Sequence, residues 1–216
     1  LLKLPGYVFK STDRPEIEAL VSQYGASEVN AESIRWELVS KDGKLLSSCD
    51  LSAREIPAGG VVSLGRFTPD FSKVDQAIQA KLTLRISETA ENSYDLWIYP
   101  DAADAVSNNV IFASDWEEAK DALAKGGKVL LSAHLLGGPK AARYAGWFPL
   151  YWSVPFFPGQ SIDTIGLLGH DKHPAFNGFP TPPHADWNWF RICQGARGFD
   201  VTDLTKPDFR GMAEPV

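Results

Sequence analysis

Residues 34–46 read IRWELVSKDGKLL. Ile34, Trp36 and Leu38 alternate with Arg35, Glu37 and Val39, the period of two at which a strand turns one face inward. Lys41-Asp42-Gly43-Lys44 then carries a hairpin turn signal, and Leu45 and Leu46 begin the return strand. The pattern repeats further along. Val61 to Phe67 is an apolar run between Gly59-Gly60 and Pro69. Ala80, Leu82, Leu84 and Ile86 alternate with Lys81, Thr83 and Arg85, the mark of a half-buried antiparallel strand. Tyr94 to Tyr99 (YDLWIY) supplies another strand, stopped by Pro100. Short strands with turn signals about every 8–12 residues predict an immunoglobulin-like β-sandwich over residues 1–100, with Trp36 in its core.

The pattern changes after Pro100. Asn109 to Ala113 is a short continuous apolar run. Ser114-Asp115-Trp116-Glu117 reads as a capping box, in which Ser114 accepts from the Glu117 amide. Trp116, Ala119 and Leu123 form a helical stripe that Gly126-Gly127 ends with a left-handed cap. Lys128 to Ala133 is a second apolar run, and Thr164 to Leu168 is a further candidate strand. Strand, helix and strand in succession form a βαβ unit, which implies parallel pairing and a right-handed crossover. The expected architecture is therefore α+β with two domains. A flavodoxin-like or amidotransferase-like α/β domain with a mainly parallel sheet occupies residues 101–216, and Asp101 to Asn109 is the linker.

The 216 residues suffice for one large or two small cores. A net charge of −6 and a pI near 5.2 argue against a nucleic-acid partner, which would need a basic face. No apolar run approaches the roughly 20 residues that span a bilayer, so no membrane insertion is expected. LLKLPGYVFKSTDRPE has none of the parts of a signal peptide, and both termini read as internal to a longer chain. Cys49 and Cys193 lie far apart without metal-type spacing; a disulfide between them stays open, beside the plainer reading of two buried or half-buried free thiols.

Aromatic side chains and prolines concentrate between Phe148 and Phe190, in FPLYWSVPFFPGQ (148–160) and GLLGHDKHPAFNGFPTPPHADWNWF (166–190). So many prolines force irregular backbone. Two readings stand side by side. Trp147, Phe148, Tyr151 and Trp152 form a stacking platform for sugar rings, joined in a carbohydrate-binding face by His173, His184, Asp186, Trp187 and Trp189. Alternatively, the rings cover a sheet or an interface with another domain.

The histidines also have two readings. His170, His173, His184 and Asp186 are loosely spaced as metal ligands would be, yet match no ligand signature. The structural alternative has Asp171 or His173 capping a short helix, with Pro174 at its first position, and the other histidines on loop surfaces. No G-x-S-x-G elbow and no phosphate-cradling glycine loop occur. The glutamates do not form the facing pair of a glycosidase: Glu117 and Glu118 share one helix, while Glu16, Glu18, Glu88 and Glu91 read as solvated. No catalytic residue, metal or cofactor is therefore assigned.

The order YDLWIYP (94–100), AKGGKVLL (124–131), GWFPLYWS (146–153), TIGLLGHDKHPAFNGFPT (164–181) and HADWNWF (184–190) resembles the C-terminal region of glycoside hydrolase family 2, β-galactosidase-like proteins. The HPAFNGFPT…HADWNW run is its most specific part. The resemblance implies an accessory piece of a glycosidase, outside the (β/α)8 barrel that holds that family's catalytic glutamates. It also implies that the α/β sheet continues past Val216. The implied partners are the parent's catalytic barrel and carbohydrate, and the implied location is outside the cytoplasm.

Overall fold

The computed structural model describes residues 1–101, 109–131, 141–144, 167–169, 171–193, 197–199 and 213–215. The chain divides into two compact units, Leu1–Asp101 with Gly178–Pro180, and Ala102–Asn177 with Thr181–Val216.

The first unit is built from β1 (Leu2–Lys3), β2 (Val8–Lys10), β3 (Ile17–Gln23), β4 (Val29–Ala31), β5 (Ile34–Ser40), β6 (Leu45–Leu51), β7 (Arg54–Ile56), β8 (Gly60–Phe67), β9 (Ile78–Ile86) and β10 (Ala90–Tyr99). The strands form a three-stranded sheet in the order β1-β3-β8 and a five-stranded sheet in the order β2-β10-β9-β5-β6, and β4 pairs with β7. In β5 every second residue is buried (Ile34, Trp36, Leu38 and Ser40), as the period-two pattern requires. The Ser40–Lys44 turn closes β5 onto β6. Gly43 takes φ +90°, and the Ser40 amide donates to the Lys44 carbonyl at 2.9 Å.

Both sheets feed one core. Ile17, Ala19, Leu64 and Phe67 come from the smaller sheet, and Trp36, Leu38, Leu82, Leu84, Leu96 and Ile98 from the larger. Trp36 stacks on Phe67 across the core, with ring centroids 4.5 Å apart and planes 15° apart. The sheet ends in a pairing that local sequence does not announce: β2 runs parallel to β10, with Val8, Phe9 and Lys10 opposite Trp97, Ile98 and Tyr99.

The second unit contains β11 (Val110–Ala113), α1 (Trp116–Ala124), β12 (Lys128–Leu131), β13 (Ala141–Tyr144), β14 (Leu167–Gly169), α2 (Phe190–Cys193), β15 (Arg197–Phe199) and β16 (Ala213–Pro215). β11 and β12 pair in parallel around α1, so a βαβ unit is present. The helix starts one residue later than the capping-box reading placed it. Asp115 is the N-cap, and its Oδ1 accepts from the amides of Glu117 and Glu118 at 2.8 and 3.1 Å. Gly126, at φ +77°, ends it.

The expected α/β architecture does not hold. The described residues are mostly strands in several sheets, with only two short helices, α1 and α2. β13 pairs with β15 and β14 with β16, both antiparallel, so the mainly parallel flavodoxin-like sheet is absent from the described residues. The physical reason lies in the crossovers. A doubly wound sheet needs repeated helical connections of a dozen or more residues. Past β14 the prolines break the backbone into 3-10 turns, at Pro174–Phe176 and Trp187–Trp189, and α2 has four residues. The linker proposed over Asp101 to Asn109 falls mainly on residues 102–108, outside the described residues, as do residues 164–166 of the candidate strand.

Trp36→Ala is expected to lower unfolding free energy by about 3–5 kcal/mol, the usual cost of emptying a buried aromatic site. Trp36→Phe should cost markedly less: it keeps a ring on Phe67 and removes an indole N–H that has no hydrogen-bond partner among the described residues. Denaturant unfolding of both variants measures the difference. Equal losses would contradict the packing described here.

Candidate functional site

Of the predicted binding residues, Trp147, Tyr151 and Trp152 lie outside the described residues, as does His170 among the predicted metal ligands. The remainder can be placed, and most hold backbone together. His173 is the N-cap of the Pro174–Phe176 turn; its Nδ1 accepts from the Ala175 amide at 3.1 Å. Pro174 follows at the first position, where its missing N–H costs nothing. The turn carries Phe176 into a buried position, and Gly178, at φ +83°, lets the chain leave.

Asp186 does the same for the next turn. Its Oδ1 accepts from the Trp187 amide at 2.7 Å, and its carbonyl accepts from the Trp189 amide at 2.9 Å. Trp189 is buried, meets Phe176 edge-on with centroids 5.5 Å apart, and donates its indole N–H to Thr181 Oγ1 at 2.7 Å. The edge-on geometry places the positive ring edge of one aromatic against the negative face of the other. His184 is exposed and forms a β-bridge with Leu168. The Ala185 amide donates to Leu167 and the Gly169 amide to Pro183, so β14 grips both sides of this bridge.

Among the described residues of the segment, two large apolar rings stand substantially open to solvent. Trp187 is 46% exposed and Phe190 41%, and they pack against each other with centroids 5.7 Å apart, tilted by 56°. They stand three residues apart on continuous helical turns, so they share a face. Arg191, four residues after Trp187, extends it. Cys193, at the end of α2, is buried, and that burial pushes its thiol pKa up, away from a reactive thiolate. Both cysteines are free, with Cys49 exposed.

Among the described residues no group of three or more His, Cys, Asp or Glu side chains is arranged to hold a metal ion. The structure thus separates the predicted set: Trp189 is packed, His173 and Asp186 cap, His184 is exposed, and Trp187 presents a face. Sequence reasoning passed over Thr181, Phe176 and Phe190. The spacing of three between Trp187 and Phe190 was the available signal for the last of these.

The peptide Gly178–Pro180 belongs to the first unit, where Phe179 stacks on Tyr99 at 6.1 Å. Among the described residues the Tyr99 hydroxyl finds no hydrogen-bond partner, and desolvation pushes its pKa from 10.0 up to about 12.

Two outcomes follow from these contacts. Thr181→Val should strand the Trp189 indole N–H and lower stability by about 1–3 kcal/mol, read by chemical denaturation. Phe179→Ala should return the Tyr99 pKa toward 10.0, seen by ultraviolet titration of the phenolate. Because the folded-state value is the raised one, native stability is intact below pH 10 and falls as pH rises through about 12, and Phe179→Ala should weaken that fall.

Residues 111–216 match a family described as "Domain of unknown function (DUF8487)", and residues 13–100 match one described as "Domain of unknown function (DUF8488)". No curated protein matches the chain.

Proposed function

We propose that this chain is an accessory, non-catalytic part of a β-galactosidase-like glycosidase that breaks down polysaccharides or oligosaccharides, and that it supports or shapes the parent's active site. Its partner in that role is the catalytic barrel of the same parent chain, in an exported protein. The support for the family is the resemblance carried by HPAFNGFPT…HADWNW. The single observation that carries the non-catalytic reading is the use to which two of that run's acid and base groups are put. His173 and Asp186 are engaged in holding backbone amides at 3.1 and 2.7 Å. A general acid or base must instead face a substrate within hydrogen-bond reach.

The carboxylates of the first unit favour the same reading. Glu16 pairs with Arg66, Glu37 with Arg35 and Glu91 with Arg85, all on partly exposed surface. Glycosidase chemistry needs two facing carboxyl groups, one of them held protonated by its surroundings. Paired surface glutamates do not meet that need. The exposed Trp187–Phe190 face, bordered by Arg191, has the aromatic and arginine composition of interface centres, which suits contact with another domain.

The test is hydrolysis of nitrophenyl β-galactoside by the purified chain. The expected rate equals that of a heat-inactivated sample. Turnover that heat inactivation abolishes would overturn the proposal.

A further inference from the structure

The outer face of the five-stranded sheet carries a shallow depression of about 510 Å3 across β5, β9 and β10. That volume lies within the roughly 300–1,000 Å3 of small-molecule sites. Its lining follows from strand alternation. Trp36, Leu38, Leu82, Leu84 and Leu96 point into the core, so Glu37, Val39, Lys81, Thr83 and Asp95 point outward. The ladder places Val39, Lys81 and Asp95 in one row and sets Glu37 opposite Thr83 in another. The hydrogen-bonded ladder therefore fixes the backbone positions from which these side chains project.

The charges within it are unequally matched. Lys81 pairs with Asp95 at 3.3 Å, and Arg85 contacts Glu37 at 3.6 Å and also holds Glu91. Lys41 is different. Its Nζ donates to Gln79 Oε1 at 3.3 Å, and among the described residues it makes no ion pair with a carboxylate. The Gln79 amide NH2 remains as a donor, the Thr83 hydroxyl as donor or acceptor, and Glu37 and Asp95 as acceptors. Val39 supplies a half-buried apolar patch in the floor.

We propose that this face binds an acidic saccharide residue, a uronate, with its carboxylate on Lys41 and its hydroxyls on Gln79, Thr83 and the two acids. One uncompensated cation matches a monoanion. A phosphate dianion would meet Glu37 and Asp95 unfavourably, and a neutral sugar would leave Lys41 unmatched. Mixed donors and acceptors on a shallow surface suit a ring whose hydroxyls both donate and accept, while Val39 meets its C–H face. The site takes from the proposed function only the expectation that the parent handles glycans; its ligand chemistry is read from the side chains.

The experiment is an amide-resolved NMR titration of the whole chain with galacturonate oligosaccharides and, in parallel, with the matching neutral galactose oligosaccharides. Saturable shifts at Lys41, Gln79, Lys81 and Thr83 are expected with the acidic series, with clearly weaker binding of the neutral one. Lys41→Ala should weaken binding about tenfold, the factor that loss of one charge-assisted hydrogen bond brings, and Lys41→Arg should retain most of it. Absence of saturable shifts at these residues, equal affinity for the neutral series, or no effect of Lys41→Ala would each overturn the proposal. Hydrolysis of nitrophenyl β-galactoside by the chain would overturn the proposed function alone and leave this site standing.

Discussion

The first unit depends on a pleat whose inward side chains must find partners from a second sheet. Trp36, leaving β5, reaches Phe67 on β8 and lies nearly flat against it. Around that contact Ile17, Leu38, Leu64, Leu82 and Leu96 become fully buried. Because side chains alternate with a period of two, the same constraint sets the opposite face. Once Leu82 and Leu84 point inward, Lys81, Thr83 and Arg85 have no choice but to point out. The polar face on which a ligand is proposed to bind is thus a by-product of core packing, which sets the register of its backbone.

The second unit solves a different problem. Across residues 171–189 prolines at 174, 180, 182 and 183 interrupt any regular ladder, and neighbouring amides must be satisfied locally. His173 and Asp186 accept from them, and Thr181 accepts from the Trp189 indole. Residue types that suggest chemistry when read in order are here the means by which an irregular segment keeps its polar groups paired. Trp187 and Phe190 are the large apolar rings of the described segment that this arrangement leaves substantially open to solvent.

What the sequence reveals divides along the range of the interactions involved. Strands β5, β9 and β10 were legible because alternation is local, and Trp36 was legible as core for the same reason. The β11–α1–β12 unit was legible from its apolar runs and its closing glycines. The cap of α1 was misplaced by one residue because Ser114 and Asp115 are both good cap residues, and only geometry chooses between them. The parallel pairing of β2 with β10 joins residues about ninety positions apart and has no local signature. The error over the flavodoxin-like sheet came from extending one true βαβ unit over the whole second half. The prolines past β14 favour short 3-10 turns over helical crossovers. In the site, the capping role of His173 was legible from the Pro174 that follows it. The Asp186 cap is equally local, whereas the Thr181–Trp189 bond depends on a fold of the chain that no spacing announces.

The most direct measurement is the unfolding midpoint of His173→Ala and Asp186→Ala, followed by tryptophan fluorescence, with metal content measured on the same samples. If these side chains are structural, each substitution lowers stability by about 0.5–2 kcal/mol, as loss of a helix cap does, and metal content stays at background in every sample. Unchanged stability, together with a bound metal in the native protein that either substitution removes, would contradict the account and return these residues to chemistry.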